Sequence, residues 1–326
     1  MMNDANIVRG GWQRDASRGT FQQLVVKSHG DVRGDAGEDQ ASTLRRMASM
    51  ASNHGAPMQI LSITSGKGGV GKTSLLCNIA ARFGQMGKQV LLIDADLGLA
   101  NVDILMGISP KATLEQLFTG EKTLDEILLP GPPGVTVLPS GSGVKELTHL
   151  SDEQVLQLMN ALEALDRKFD VLLIDTGAGI GKNVLEFNAA AQDVLVVANP
   201  EPTSITDAYA IIKILFRDHG VKTFKLIVNS VKSRKAALDV YRHITTVADK
   251  YLPGANIEFL GHVMFDENVS LAIIERKLLV ESRPDSAAAQ CVASIVERLV
   301  EEAGTRPLTG NMQFFWKRLL QPEAAV

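Results

Sequence analysis

Residues 60–74 read Ile60-Leu-Ser-Ile-Thr-Ser-Gly-Lys-Gly-Gly-Val-Gly-Lys-Thr-Ser74, an apolar run with four glycines packed into the six positions 66–71. The run Ile60–Thr64 predicts a buried strand, and the helical period of Lys72–Met86 predicts the helix that follows it. Between them Gly66–Thr73 carries the spacing G-x-x-x-x-G-K-T, which marks a phosphate-binding loop when a strand precedes it and a helix follows. The glycines let the amides of Gly66, Gly68, Gly69, Val70 and Gly71 curl inward. With the helix N-terminus opened by Lys72, Thr73 and Ser74, they form a nest for phosphate oxygens. In such a loop Lys72 reaches the β- and γ-phosphates as a point charge, and the Thr73 hydroxyl belongs on Mg2+. Lys67 is a second lysine inside the loop, which a self-sufficient site does not need. It is either a solvated side chain or a charge offered across a dimer interface to a neighbour's phosphates, as an arginine finger would be.

Outward from this loop, short β-branched runs alternate with helical stretches. The runs are Ile60–Thr64, Val90–Asp94, Val135–Leu138, Asp170–Asp175, Asp193–Ala198, Phe224–Asn229 and Ile257–Val263. The helical stretches are Lys72–Met86, Asp152–Asp166, Val184–Ala191, Ser204–His219, Ala236–Lys250 and Asp285–Glu302. Near-continuous apolar strands in alternation with helices imply an α/β fold, a doubly wound, mostly parallel sheet with helices on both faces. Right-handed crossovers gather the loops at the carboxyl ends of the strands. The expected organisation is an N-terminal extension over 1–57, one domain over 58–303, a Gly- and Pro-punctuated linker over 304–310, and a C-terminal segment over 311–326.

The remaining composition excludes several classes. Of 326 residues, 33 are Lys or Arg and 37 Asp or Glu, giving a net charge of −4 that argues against a general nucleic-acid binder. The cluster Lys222, Lys225, Lys232, Arg234, Lys235 and Arg242 reads as a solvated helix face rather than a DNA contact. Two cysteines, Cys77 and Cys291, make neither a disulfide framework nor an iron–sulfur site within one chain. No apolar run of ~18 residues occurs, and the first residues lack the apolar core of a secretory signal. A soluble protein of the cytoplasm is expected.

The loop Gly66-Lys-Gly-Gly-Val-Gly-Lys-Thr73 resembles the deviant Walker A loop of the MinD/ParA ATPases, SIMIBI-type P-loop NTPases. Leu91-Leu-Ile-Asp-Ala-Asp-Leu-Gly-Leu-Ala-Asn-Val-Asp103 is similar to their second motif, and Asp170-Val-Leu-Leu-Ile-Asp-Thr-Gly-Ala-Gly179 to their Walker B and switch II. The resemblance implies ATP and ADP as ligands with Mg2+, and a homodimer when ATP is bound. It makes Lys67 the lysine that crosses to the partner. Asp96 positions the attacking water, Asp94 supports the metal region, and Asp175 holds Mg2+ through its waters. It implies that Asn229 contacts adenine. The family's proline beyond the next strand is here Met264, in His262-Val-Met-Phe-Asp-Glu-Asn268, where Asp266 is expected to help. Met264 and Phe265 read as core, and His262 as a strand histidine.

Both ends carry further signals. In Asn311-Met-Gln-Phe-Phe-Trp-Lys-Arg-Leu-Leu320, Met312, Phe315, Trp316 and Leu319 share a helical face, with Lys317 and Arg318 opposite. Aromatic residues on one side and basic residues on the other suit a membrane interface, and the segment resembles the membrane-targeting helix of MinD-type proteins. The same stripe would also dock on its own domain, and the two states could alternate. Near the other end, Asp39-Gln-Ala-Ser-Thr-Leu-Arg45 matches D-Q-A-x-x-L-R with Asp39, Gln40, Leu44 and Arg45. It resembles the activator segment of flagellar-number ATPases of the FlhG/FleN type. That resemblance implies a flagellar signal-recognition-type GTPase as partner, with Gln40 orienting its water. It also implies contacts with a flagellar transcriptional activator or a switch/C-ring protein, and a polar position on the inner face of the membrane. A MinD- or ParA-type positioning ATPase and an iron–sulfur scaffold are the competing readings.

Overall fold

Residues 58–96, 101–139, 151–165, 168–305, 315–316 and 318–319 are described by a computed structural model, in which the strand–helix alternation read from the sequence forms one sheet. The strands are β1 (Gln59–Ser65), β2 (Val90–Ala95), β3 (Leu129–Pro130), β4 (Val135–Leu138), β5 (Val171–Ala178), β6 (Asp193–Ala198), β7 (Thr223–Val231) and β8 (Asn256–Met264). They lie in the order β3-β4-β2-β5-β1-β6-β7-β8, parallel except for the short β3–β4 pair. The sheet is therefore doubly wound, and β1 sits at its centre between β5 and β6.

The helices are α1 (Lys72–Gln85), α2 (Val102–Met106), α3 (Leu114–Phe118), α4 (Leu124–Ile127), α5 (Asp152–Glu163), α6 (Lys182–Ala190), α7 (Pro202–His219), α8 (Arg234–Tyr251), α9 (Glu267–Ile274), α10 (Leu279–Ser282) and α11 (Ala287–Thr305). Alternate strand residues face opposite layers, which is why the strands read as unbroken apolar runs. Leu61 and Ile63 pack with Leu76, Ile79 and Phe83 of α1 and Ile295 and Leu299 of α11. Ile60 instead joins Leu114, Leu158 and Phe187 on the other face. That second face continues over β6–β8 under α7 and α8. Among the described residues, no helix is long and apolar enough to cross a membrane.

Strand β3 and the short helices α2, α3, α4, α9 and α10 were not expected from the sequence. Two of them carry a local signal: Thr113 with Gln116, and Thr123 with Glu126, form capping boxes at the starts of α3 and α4. Lys225 does not belong to a basic surface. It is 1% exposed on β7, ringed by Asp193 at 3.8 Å, Glu258 at 3.1 Å and the Glu302 carboxylate. A buried ammonium persists only with such partners, so a strand position in the middle of a charged stretch misread as helix face.

The C-terminal stripe is docked on its own domain. Phe315, Trp316 and Leu319 are buried against the cluster of Ala112, Leu117, Leu124 and Leu158. The rings of Phe315 and Trp316 meet edge-on at 5.2 Å. Arg318 stays exposed. Of the two states open in the sequence, an exposed lipid-facing stripe is thus not the one in this structure, because the apolar face formed by α3, α4 and α5 already buries it. Met312 and Lys317 lie outside the described residues, as do Asp39, Gln40, Leu44 and Arg45.

Candidate nucleotide site

The loop between β1 and α1 lies at the carboxyl end of the central strand, where open α/β sheets bind ligands. Gly69 and Gly71 have φ of +78° and +87°, the left-handed region that a side chain resists, and Gly71 leads directly into α1. Gly66 is fixed by a different constraint. A Cβ there would stand 2.1 Å from the Asp207 backbone on α7, whereas Gly68 faces open space. One side of the loop is thus pressed onto α7, and the other is left for a ligand.

Lys72 and Asp175 meet below the loop. Lys72 Nζ lies 3.4 Å from Asp175 Oδ1, with both side chains nearly inaccessible. Burial pushes the Asp175 carboxyl up from its ordinary value, and Asp96 adds to this. The Lys72 charge and a Thr73 hydroxyl hydrogen bond pull it back only in part. Asp175 Oδ2 is buried with no hydrogen-bond partner among the described residues, and neither has the hydroxyl of Thr64 on β1. A buried, unpartnered carboxylate oxygen beside the Thr73 hydroxyl is a hard-oxygen donor set, so these residues fit Mg2+. A bound Mg2+ would supply positive charge to the phosphates there.

The other acidic candidates separate. Asp94 is buried, and its oxygens accept hydrogen bonds from the amides of Asp96 at 3.1 Å and Val102 at 3.4 Å. It organises the chain after β2 and the start of α2, the capping role that competes with metal support. Asp96 lies just past β2. Its Oδ1 would stand 3.4 Å from a Cβ on Gly177, so that position on β5 is narrow. Strand β5 runs through Ala178, so the stretch similar to switch II leaves the sheet only after that residue. Gly179 follows at φ +89°, donating its amide to the Ser65 carbonyl at 2.9 Å.

Asn229 lies inside β7, which continues to Val231 rather than stopping at Asn229, and donates its amide to the Val70 carbonyl at 2.7 Å. It therefore braces the loop, with its second amide hydrogen still available. Asp266 is placed differently from the expectation. Its Oδ1 accepts from the Asn268 amide at 2.9 Å and side chain at 2.8 Å, and its Oδ2 from the Ala288 amide at 3.2 Å. The carboxylate caps α9 and ties it to the start of α11, which leaves it fixed by helix ends rather than turned to a base. Phe265 is not core: 62% of it is exposed.

Two residues missed in the sequence hold Lys67. Its Nζ lies 2.7 Å from Glu201 Oε2 and 3.3 Å from Thr203 Oγ1, at the start of α7. The Lys67 carbonyl accepts from Ser65 Oγ at 2.8 Å. The local signal was Pro202, which sits at the first turn of α7 and marks Glu201 as its N-cap position.

The chain is similar to known proteins in sequence and in fold. The ParA family model, described as "NUBPL iron-transfer P-loop NTPase", matches residues 57–300. The antiactivator FleN of Pseudomonas aeruginosa is 40% identical over 278 residues, covering 85% of this chain and 98% of FleN. The flagellum site-determining protein YlxH of Helicobacter pylori is 32% identical, covering 81% of this chain and 90% of YlxH. Among solved structures, the septum site-determining protein MinD complexed with Mg-ADP from Pyrococcus horikoshii OT3 is 25% identical with a TM-score of 0.59. It covers 76% of this chain and 98% of its own. With the loop, the buried Lys72–Asp175 pair and these likenesses together, the chain belongs to the ParA/MinD family of P-loop NTPases, a family of nucleotide hydrolases.

Proposed function

We propose that this protein is a Mg2+-dependent, MinD-like ATPase that regulates flagellar number and placement by cycling between a cytosolic monomer and an ATP-bound dimer on the membrane. The observation that carries the reading is the pairing of Lys67, inside the loop, with 40% identity to FleN across almost all of that protein's length. The glycines of the loop, with Ser74, cradle the phosphates; Lys72 neutralises them from below, and Thr73 and Asp175 hold the metal. Asp96 orients the attacking water, while Asp94 keeps Asp96 in place. Lys67 leaves Glu201 to reach the phosphates of the second copy, which makes hydrolysis depend on dimerisation.

On this reading the docked helix is the stored form of a membrane anchor. Phe315, Trp316 and Leu319 are buried without ATP and are released when two copies join. A short helix binds lipid weakly, and two on one dimer gain avidity. Residues 39–45 lie ahead of the domain as the segment that stimulates the flagellar GTPase. Of the two thiols, Cys77 is fully buried and its pKa is pushed well up by burial, which suits a packing role better than iron transfer.

The test is liposome sedimentation of the full chain with and without ATP, together with hydrolysis by Asp96→Ala. Sedimentation that ATP does not change would end the membrane cycle, and a wild-type rate in Asp96→Ala would end that residue's role. GTPase stimulation by a peptide of residues 36–50, lost in its Gln40→Ala version, tests the activator segment. Recovery of a MinC-like partner in place of the GTPase would move the protein to division-site placement.

A further inference from the structure

Strand β8 ends the sheet, and among the described residues it pairs with β7 alone. Along its open side runs a cleft of about 450 Å³ that reaches four consecutive strand residues, Phe259, Leu260, Gly261 and His262. Successive strand residues face opposite layers. Here Phe259 belongs to the layer of α8 and Leu260 to that of α11. A cavity that touches all four therefore follows the backbone edge itself rather than one face of the sheet. We infer that this edge is a docking cleft for a short, extended, acidic segment of another protein.

The charge of the cleft selects that occupant. Arg234, the first residue of α8, and Arg298 of α11 line it, and no Asp or Glu does so among the described residues. Neither guanidinium pairs with a carboxylate among those residues; Arg298 gives one N–H to the Leu260 carbonyl at 2.7 Å and keeps the rest of its fork. Nearby acids are engaged elsewhere. Glu258 holds Lys225 at 3.1 Å and Asn256 at 2.9 Å, and Glu297 holds Arg82 at 3.3 Å. Burial, and then the charges of Arg234 and Arg298, keep the His262 imidazole below its ordinary value. Two planar guanidinium forks suit carboxylates, which they bind through paired N–H groups. Gln290 and Ser294, a turn apart on α11, add polar partners in the same cleft.

The shape of the edge disfavours other strands. The β7–β8 register jumps from Leu226 opposite Phe259 to Ile227 opposite Gly261, so Leu260 is an extra residue that bulges β8. A bulge whose carbonyl is already taken by Arg298 interrupts strand addition after a few residues. The β8 edge of a second copy meets a further obstacle, because it brings the same two arginines against these. A short segment with carboxylates for Arg234 and Arg298 meets neither. The apolar share of the lining, at Phe259, Leu260 and Ile295, suits an apolar residue beside the acidic ones.

The probes are capped octapeptides of alternating Val and Glu, Val and Lys, or Val and Ser, titrated into the full chain. Amide NMR shifts on β8 report occupancy, as does the alkylation rate of Cys291, which lines the cleft and is half-buried. The Val–Glu peptide is expected to shift the amides of Phe259–His262 and to slow Cys291 alkylation, and the Val–Lys peptide to do neither. Arg234→Gln and Arg298→Gln should each weaken the Val–Glu peptide roughly tenfold. Arg234 makes no hydrogen bond among the described residues, so Arg234→Gln still decides the matter where Arg298→Gln disturbs the strand. Equal binding of the three peptides would overturn the inference, as would β8 amides that none of them shifts, which would leave the arginines as guards of the edge. Displacement of the Val–Glu peptide by Mg-ATP would move it to the nucleotide loop. A parent dimer that protects the β8 amides would give the cleft to a second copy, and an oligonucleotide that shifts them where the Val–Glu peptide does not would give it to nucleic acid; each result would end the acidic-segment reading.

Discussion

The Lys67 ammonium and the Glu201 carboxylate lie 2.7 Å apart, joining a glycine-rich loop to the start of a helix 134 residues later. The hydrogen bond and charge of Lys67 hold the Glu201 carboxyl below its ordinary value. A depressed native pKa means that the unfolded chain takes up the proton first. The pair's contribution is thus complete above the ordinary carboxylate value and is lost as pH falls through the native one.

Lys67→Ala should return the Glu201 titration to the ordinary carboxylate range, as followed by carbon-detected NMR. A midpoint that does not move would show the contact absent in solution. Glu201→Gln keeps the size of the side chain but frees the lysine. It should modestly raise the dimer fraction in ATP, measured by sedimentation velocity. The pair is exposed, so the effect is expected to shrink in salt.

Lys72→Met should abolish nucleotide binding and also destabilise the nucleotide-free protein, because Asp175 then stays buried without its counter-charge. Breaking one side of a buried pair costs about 3–5 kcal/mol, which would appear in the urea midpoint. The Asp175 carboxyl is already raised by burial. Its unfavourable charge is present in full above the native pKa and absent below the unfolded value. The penalty of Lys72→Met should therefore be larger at pH ~7 than at ~4; equal penalties would show that Asp175 carries no charge.

Asp266→Ala removes a carboxylate that caps α9 and holds the start of α11. Lost caps cost about 0.5–2 kcal/mol. Burial raises the Asp266 carboxyl, but hydrogen bonds from the amides of Asn268, Ala288 and Ala287 outweigh it and leave the pKa lowered. The stabilisation is accordingly full above the ordinary Asp value and fades as pH falls through the native one. Thermal midpoints of the parent and Asp266→Ala should differ at neutral pH and converge in acid. Nucleotide affinity should change little. A large loss of ATP binding with an unchanged midpoint would return Asp266 to the base.

Trp316→Ala should destabilise the nucleotide-free chain by about 3–5 kcal/mol, the usual cost of deleting a buried Trp. The indole N–H is buried without a partner among the described residues, so Trp316→Phe forfeits no hydrogen bond and should cost distinctly less. If neither variant changes the urea midpoint, the helix is not docked in solution.

Much of this protein was legible from local spacing. Ile60–Ser74 identified the strand, loop and helix of the phosphate site, and alternating runs gave the parallel sheet, because strands covered on both faces must be apolar throughout. Harder to read were residues whose role depends on a distant neighbour. Lys225 sits in a charged stretch, and nothing local says that Asp193, Glu258 and Glu302 enclose it. Phe265 has the composition of a core residue, yet it lies past the last strand pair, where no layer covers it.

The sequence by itself determined the chemistry of the loop and the layered fold, since both follow from which residue types occur at short, fixed separations. Tertiary structure alone decided how the acids divide their roles. Asp175 is left with an open oxygen, while the oxygens of Asp94 and Asp266 are turned to backbone amides. It also decided that Lys67 rests on Glu201 and that Phe315, Trp316 and Leu319 face the domain. Each of those outcomes depends on groups brought together only when the chain closes. Amphipathic spacing fixes that a face will be covered, and the shape of the folded surface fixes by what.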